Sequence, residues 1–283
     1  MRHLPMDVDA RTMTRYRWGH KKTPEAVMKL FDLTGRVAIV TGGNGGIGLG
    51  MATGLARAGA AVMIAGRNAA KNAAAVGELE ALGASAAAFE VDVTSEESCR
   101  ALVARTVEHF GRLDILVNNA GTNIRKRPEL YSLEEWRHII ETNLTSAFAC
   151  SQAAYPAMQK AGGGKIVNIG SMMSIFGASF TTPYAASKGG IVQMTKAMAC
   201  AWAGDNIQIN AVLPGWINTD LTRQARIDVP ELHDKVQART PAGRWGEPGD
   251  FEGIAVFLCS PASDFLSGTA IPVDGGFSVQ GAV

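Results

Sequence analysis

The chain predicts an α/β fold: a single doubly wound domain with a parallel sheet of about seven strands and helices on both faces. Three observations predict it. From residue 31 onward, short β-branched runs alternate with long Ala-rich amphipathic stretches, the rhythm of repeated strand–helix units. Most of the short runs are continuously apolar rather than alternating, which marks strands covered on both faces. The stretches between them are long enough for crossover helices. No low-complexity linker, internal repeat or second domain interrupts the pattern, and 283 residues suit one such domain.

The elements follow in order. Strands are predicted at "RVAIVT" (36–41), "AAVMIAG" (60–66), "AAAFEVDV" (86–93), "LDILVNN" (113–119), "GKIVNIG" (164–170), "IQINAVLP" (207–214) and "AIPVDGG" (270–276). One segment breaks the rhythm. Residues 215–245, punctuated by Pro230 and Pro241, are too long for a simple connection and read as a substrate loop or lid. Residues 31–283 therefore form the expected catalytic domain, and residues 1–30 an N-terminal extension. The extension is basic but lacks an apolar core and a small-residue cleavage site, so it is a poor secretory signal. It is Arg-rich like a transit peptide, but Asp7, Asp9 and a shortage of serine weaken that reading. A flexible or interface-docked arm and a start of the domain at Met28 both fit it.

Composition excludes several classes. Lys and Arg number 27 against 26 Asp and Glu, a net charge of +1, so no broad basic field for nucleic acid or an anionic membrane is indicated. No apolar run approaches a membrane span. The four cysteines, Cys99, Cys150, Cys200 and Cys259, are scattered without a CxxC pair. That argues against zinc and disulfide frameworks, so no metal is expected and the reducing cytoplasm is the natural setting.

The first strand runs into "TGGNGGIG" and then a helical stretch. Gly42, Gly46 and Gly48 allow a tight turn, close backbone approach to a pyrophosphate and close helix–strand packing, with Asn44 and Ile47 between them. The helix N-terminus behind the loop offers free N–H groups to phosphate. This is the arrangement of a Rossmann-type dinucleotide-binding domain. At the end of the second strand such folds carry Asp or Glu to bind a ribose 2′-OH. Here stands Arg67, which pairs with a 2′-phosphate instead. NADP(H) is favoured, with NAD(H) as the other candidate. Asp92 and Val93 end the third strand and could meet the adenine edge, and Asp92 could equally be a turn or helix cap.

The chemistry falls at the other half. Tyr184 and Lys188 stand four apart in "YAASK" behind Pro183, which suits the first turn of a helix. Four residues along a helix bring both onto one face, about 6 Å apart. A neighbouring ammonium favours the phenolate and lowers the tyrosine pKa, which suits proton exchange with an alcohol or carbonyl oxygen. Ser171 ends the fifth strand, where a hydroxyl could hold a reacting oxygen. Asn119, Ala120 and Gly121 end the fourth strand and leave room for a cofactor. Asn143 places a polar amide in a core-like helix and asks for a buried partner.

From residue 31 to 279 the chain resembles the short-chain dehydrogenases/reductases, through "TGGNGGIG", "NNAG", Asn143, Ser171, "YAASK", "PGWINT" and "VDGG" in that order. The resemblance implies Tyr184 as general acid/base, Lys188 on the nicotinamide ribose, Ser171 orienting the substrate oxygen and Asn143 holding a water in a proton relay. It also implies that Pro214, Gly215, Ile217 and Thr219 line the nicotinamide end, and that the protein is a homotetramer.

Further stretches resemble the sugar-acid branch of D-gluconate 5-dehydrogenase and 2-deoxy-D-gluconate 3-dehydrogenase. They are "FDLTGRVAIVTGG", "NNAGTNIRKRP", "SMMSIFG", "AWAGDNIQINAVLPGW" and "RTPAGRWGEPGD". The expected substrate is then a small sugar acid or polyol such as gluconate or 5-ketogluconate. Arg125 and Arg127 could meet its carboxylate, and Met173 and Trp216 could shape the pocket. A 3-oxoacyl-thioester or other ketone reductase is the alternative, with the same basic run docking an acidic carrier. A non-catalytic dinucleotide-binding protein is disfavoured by the intact set of Asn143, Ser171, Tyr184 and Lys188.

Overall fold

The computed structural model describes residues 28–281. The readings of residues 1–27 lie outside the described residues. Seven strands are present: β1 Val37–Thr41, β2 Ala61–Gly66, β3 Ala86–Glu90, β4 Ile115–Asn118, β5 Gly164–Ile169, β6 Ile207–Pro214 and β7 Ala270–Val273. They form one sheet in the order β3-β2-β1-β4-β5-β6-β7, and every pairing is parallel. The helices are α1 Gly46–Arg57, α2 Ala69–Ala81, α3 Glu96–Phe110, α4 Leu133–Ile140, α5 Ser146–Lys160, α6 Thr182–Trp202, α7 Asp220–Asp228, α8 Leu232–Arg239 and α9 Glu252–Cys259.

Strand alternation sorts the core into two layers. Ala38 and Val40 of β1 pack with Met51 and Leu55 of α1, Leu79 of α2 and Leu258 of α9. Ile39, between them, packs with Leu102 of α3, Met158 of α5 and Met198 of α6 on the opposite face. The central strands β1, β4 and β6 are buried at every residue, as continuous apolar runs require. The edge strands differ. β3 ends at Glu90 rather than 93, and both β3 and β7 alternate or stay half-exposed, because an edge strand has a neighbour on one side only.

Two packing details position the site. At the amino end of the sheet, buried Asp114 accepts hydrogen bonds from Arg36 (2.9 Å), Arg112 (2.6 and 2.7 Å) and the Val37 N–H (3.0 Å). On one face, α1 meets the turn at 248–251 backbone to backbone. A Cβ on Gly50 would lie 2.0 Å from the Pro248 carbonyl oxygen, so only glycine permits that approach.

Residues 215–245 fold on a small core of their own. Ala225, Leu232, Val236 and Trp245 pack together, with Trp216 and Val229 against them. The Trp245 ring is stacked by His233 at 6.2 Å, covered by the Arg226 guanidinium at 4.2 Å and met edge-on by Trp216 at 5.6 Å. The long segment is thus two short helices closed around one tryptophan.

Candidate active site

Between β1 and β4 the crossovers leave in opposite directions, from β1 toward β2 and from β4 toward β5. In such sheets ligands bind in the crevice beyond the carboxyl ends at that point. A cleft of about 480 Å³ opens there. Gly42, Asn44, Gly46, Ile47, Arg67, Asp92 and Val93 line one half. Asn119, Ala120, Gly121, Ser171, Tyr184, Lys188, Pro214, Gly215, Ile217 and Thr219 line the other.

The phosphate end is built from backbone. Gly42 (φ +62°) and Gly46 (φ +52°) both take the left-handed conformation, which favours glycine. Gly48 does not line the cleft. A Cβ there would lie 2.4 Å from Asn119 Nδ2 and from the Gly42 carbonyl oxygen, so its role is close packing beneath the loop. Asn119 Nδ2 donates to the Thr41 and Gly42 carbonyls at 3.0 Å each, and Thr41 Oγ1 accepts from the Asn119 and Ala120 N–H groups. Asn44 Nδ2 donates to Asn72 Oδ1 at 2.6 Å, and Asn72 Nδ2 donates to the Gly66 carbonyl at 2.8 Å. A glycine cradle that a Cβ would fill, followed by Arg67 and no carboxylate at the end of β2, fits a dinucleotide carrying a 2′-phosphate. Asp92 shows the turn role as well as a place in the cleft. Its Oδ1 accepts from the Thr94 N–H (3.0 Å) and Oγ1 (2.8 Å), and these bonds hold its carboxyl below the usual range.

At the chemistry end, Pro183 lies in the first turn of α6, and Ser187 and Lys188 are buried. Lys188 Nζ donates to the Ile169 carbonyl at 2.7 Å and stands 5.7 Å from the Tyr184 ring centre. Burial pushes the ammonium down to about 8. Burial also pushes the Tyr184 phenol up, with a hydrogen bond to Ser171 acting the other way. This corrects the expected direction for Tyr184. The lysine turns to a carbonyl instead of the phenol, and desolvation outweighs the Ser171 hydrogen bond.

Asn143 lies in a π turn, Glu141–Thr145, that joins α4 to α5. Its Oδ1 accepts from the Thr122 N–H (2.8 Å), and its Nδ2 donates to the Thr122 carbonyl (2.9 Å) and Ser187 Oγ (3.1 Å). The side chain therefore clamps the loop after β4 to α6. Both of its N–H donors are engaged, which leaves one Oδ1 lone pair or the backbone carbonyl for a water. Ser174 makes a second clamp. Its Oγ accepts from the Ser171 N–H (3.1 Å) and donates to the Lys188 carbonyl (2.7 Å).

The expected substrate residues are placed elsewhere. None of Arg125, Arg127, Met173 and Trp216 lines the cleft. Arg127 pairs with Glu129 at 2.6 Å on the surface. Met173 packs against Met172, Leu213 and Phe277, and Trp216 is held by Trp245. The loop turns tightly, with Tyr131 Oη donating to the Ile124 carbonyl and Lys126 paired to Glu135, so the basic run splays. Arg125 is half-buried and has no hydrogen-bond or ion-pair partner among the described residues. Asn72, Ser174, Lys71 and Asp220 were not anticipated. The lone amide of Asn72 on the apolar face of "AAKNAAAV" is the one signal that could have marked any of them.

Comparison with known proteins agrees with this geometry. Residues 42–278 match the family model described as enoyl-(acyl carrier protein) reductase. A gluconate 5-dehydrogenase of Gluconobacter oxydans is 42% identical over 251 residues, covering 89% of this chain and 98% of that one. A 2-dehydro-3-deoxy-D-gluconate 5-dehydrogenase of Formosa agariphila is 40% identical over 250 residues, covering 87% and 94%. The crystal structure of a gluconate 5-dehydrogenase from Burkholderia cenocepacia, in complex with NADP and tartrate, superposes with a TM-score of 0.86 at 39% identity, covering 90% of this chain and 100% of that one.

Proposed function

The chain belongs to the short-chain dehydrogenase/reductase family, and from that premise we propose an NADP(H)-dependent oxidoreductase that interconverts a secondary alcohol and a ketone on a sugar acid of the gluconate/5-ketogluconate kind. The observation that carries this reading is one cleft shared by the glycine cradle, Arg67, Ser171, Tyr184 and Lys188. Bound nicotinamide would supply or accept the hydride. Ser171 would hold the substrate oxygen, and Tyr184 Oη would give it a proton in reduction or take one in oxidation. Lys188 would bind the cofactor ribose and offer its charge to the phenolate that oxidation requires and reduction leaves behind. Because burial raises the phenol, reduction would run well at neutral pH and oxidation would rise toward alkaline pH. Arg125 is the candidate for the substrate carboxylate. Residues 31–283 act as one catalytic domain, with 215–245 beside the substrate side. A cytoplasmic homotetramer completes the reading. No helix among the described residues is long and apolar enough to cross a membrane, and the exposed apolar residues Leu133, Trp136 and Phe148 suit contact between copies.

The test is NADPH consumption with 5-keto-D-gluconate and an acetoacetyl thioester assayed side by side. Turnover of the keto acid alone is expected. Turnover of the thioester alone would move the protein to the acyl reductases.

A further inference from the structure

This inference rests on the NADP(H) reading and deepens it. Arg67, Asn68 and Lys71 line the cleft at the end of β2. Asn68 caps α2, its Oδ1 accepting the Lys71 N–H at 2.9 Å, so Lys71 lies in the first turn. Side chains there lean back toward the helix N-terminus, which carries the Lys71 ammonium toward Arg67 and the cleft mouth. Its partner is Asp220, at 3.2 Å. Asp220 is the first residue of α7 and lines the same cleft. The start of α7 is fixed on the glycine loop, since a Cβ on Gly46 would lie 3.1 Å from Thr219 Cγ2. The Lys71–Asp220 pair thus spans the cleft, joining the wall at β2 to the beginning of the 215–245 segment.

The pair is suited to exchange. Its side chains are 59% and 70% exposed, so water screens the attraction. Asp220 has a second partner in Arg223, and its place at a helix N-terminus suits a carboxylate. It therefore tolerates the loss of Lys71. Lys71, in turn, gains from meeting a phosphate dianion in place of a shared carboxylate. We propose that Lys71 is a second cation, with Arg67, for the 2′-phosphate of NADP(H), and that Asp220 holds Lys71 across the cleft until that phosphate arrives. NAD(H), with a hydroxyl at the same position, leaves the pair closed.

The experiment is direct binding of NADPH and NADH by nicotinamide fluorescence to the wild type, Lys71→Ala, Lys71→Arg, Asp220→Asn and the double variant Lys71→Ala/Asp220→Asn. Lys71→Ala is expected to weaken NADPH about five- to tenfold and NADH less than about twofold, the range of one exposed charge contact with phosphate. Lys71→Arg should restore most of the NADPH affinity. Asp220→Asn should tighten NADPH about two- to threefold, an effect that disappears when Lys71 is already alanine. Equal effects of Lys71→Ala on both cofactors, or none on NADPH, would overturn the proposal, as would weaker NADPH binding by Asp220→Asn. A wild type that binds NADH as tightly as NADPH would overturn the NADP(H) reading itself, and that result precedes any variant.

Discussion

At the amino end of the sheet, the buried carboxylate of Asp114 receives two arginines and a backbone N–H. At the carboxyl end, the buried ammonium of Lys188 receives one carbonyl, that of Ile169, and no carboxylate. The phenol of Tyr184 lies beside it, half-buried in the wall of the cleft. The partnerless buried hydroxyl of Thr142 and amide oxygen of Asn118 belong to the same end. One end satisfies its charge internally and gains stability from it. The other keeps polar groups dehydrated and incompletely paired, the condition in which a ligand's hydroxyls and phosphates add most.

The contrast breaks most severely if the carboxyl end is not the chemical one. Tyr184→Phe is expected to cut turnover by about 10²- to 10⁴-fold while NADPH binding, read by fluorescence, changes less than about twofold. Retained turnover would remove the proton role from Tyr184. The amino end is tested next, by stability alone. Asp114→Ala leaves the Val37 N–H unpaired and two arginines without their acceptor. It should cost about 3 kcal/mol, the low end for a broken buried pair because both arginines are half-exposed. Urea unfolding measures this, and activity of the folded fraction at 25 °C should persist. A loss below about 1 kcal/mol would show that the amino end does not depend on this carboxylate.

A third effect, no larger than the second, sharpens the comparison through pH. Lys188 in the folded protein titrates near 8, below its ordinary 10.5. Between those values the unfolded chain still holds a proton that the folded protein has released, so stability from this group rises with pH across the window. Tyr184, raised above its ordinary 10, acts in the opposite sense, but only above about pH 10. Unfolding free energies of the wild type, measured from pH 7 to 10, should therefore gain up to about 3 kcal/mol relative to Lys188→Met. A constant difference would mean that Lys188 is not held dehydrated.

Much of this architecture is legible in the residues, and the boundary of legibility is physical. "RVAIVT" and "IQINAVLP" could be placed because strands buried on both faces must be apolar throughout, and "TGGNGGIG" because its glycines satisfy local constraints. Tyr184 and Lys188 could be paired because helix geometry fixes positions four apart. What escaped depends on distant parts of the chain. The clamp from Asn44 to Asn72 and the bridge from Lys71 to Asp220 join residues 28 and 149 positions apart. The direction of the Tyr184 shift turned on the desolvation that the folded surroundings impose on the phenol, and Arg127 was diverted by Glu129 two residues away. Charged side chains at the surface choose among several partners, and spacing alone does not decide between them.

The π turn at Glu141–Thr145 has a consequence for helical phase. Ile139 and Met158 are both fully buried although they stand nineteen residues apart, while five α-helical turns take eighteen. The single wide turn absorbs the extra residue. It lets two helices of ordinary pitch keep a common inner face, as a leap day keeps a calendar aligned with its seasons. An unbroken α-helix of the same length would instead rotate everything after that turn by about 100°. Cys150 and Ala154 would then swing out of the core. The turn that carries Asn143 is thus the same one that keeps α5 seated on the sheet.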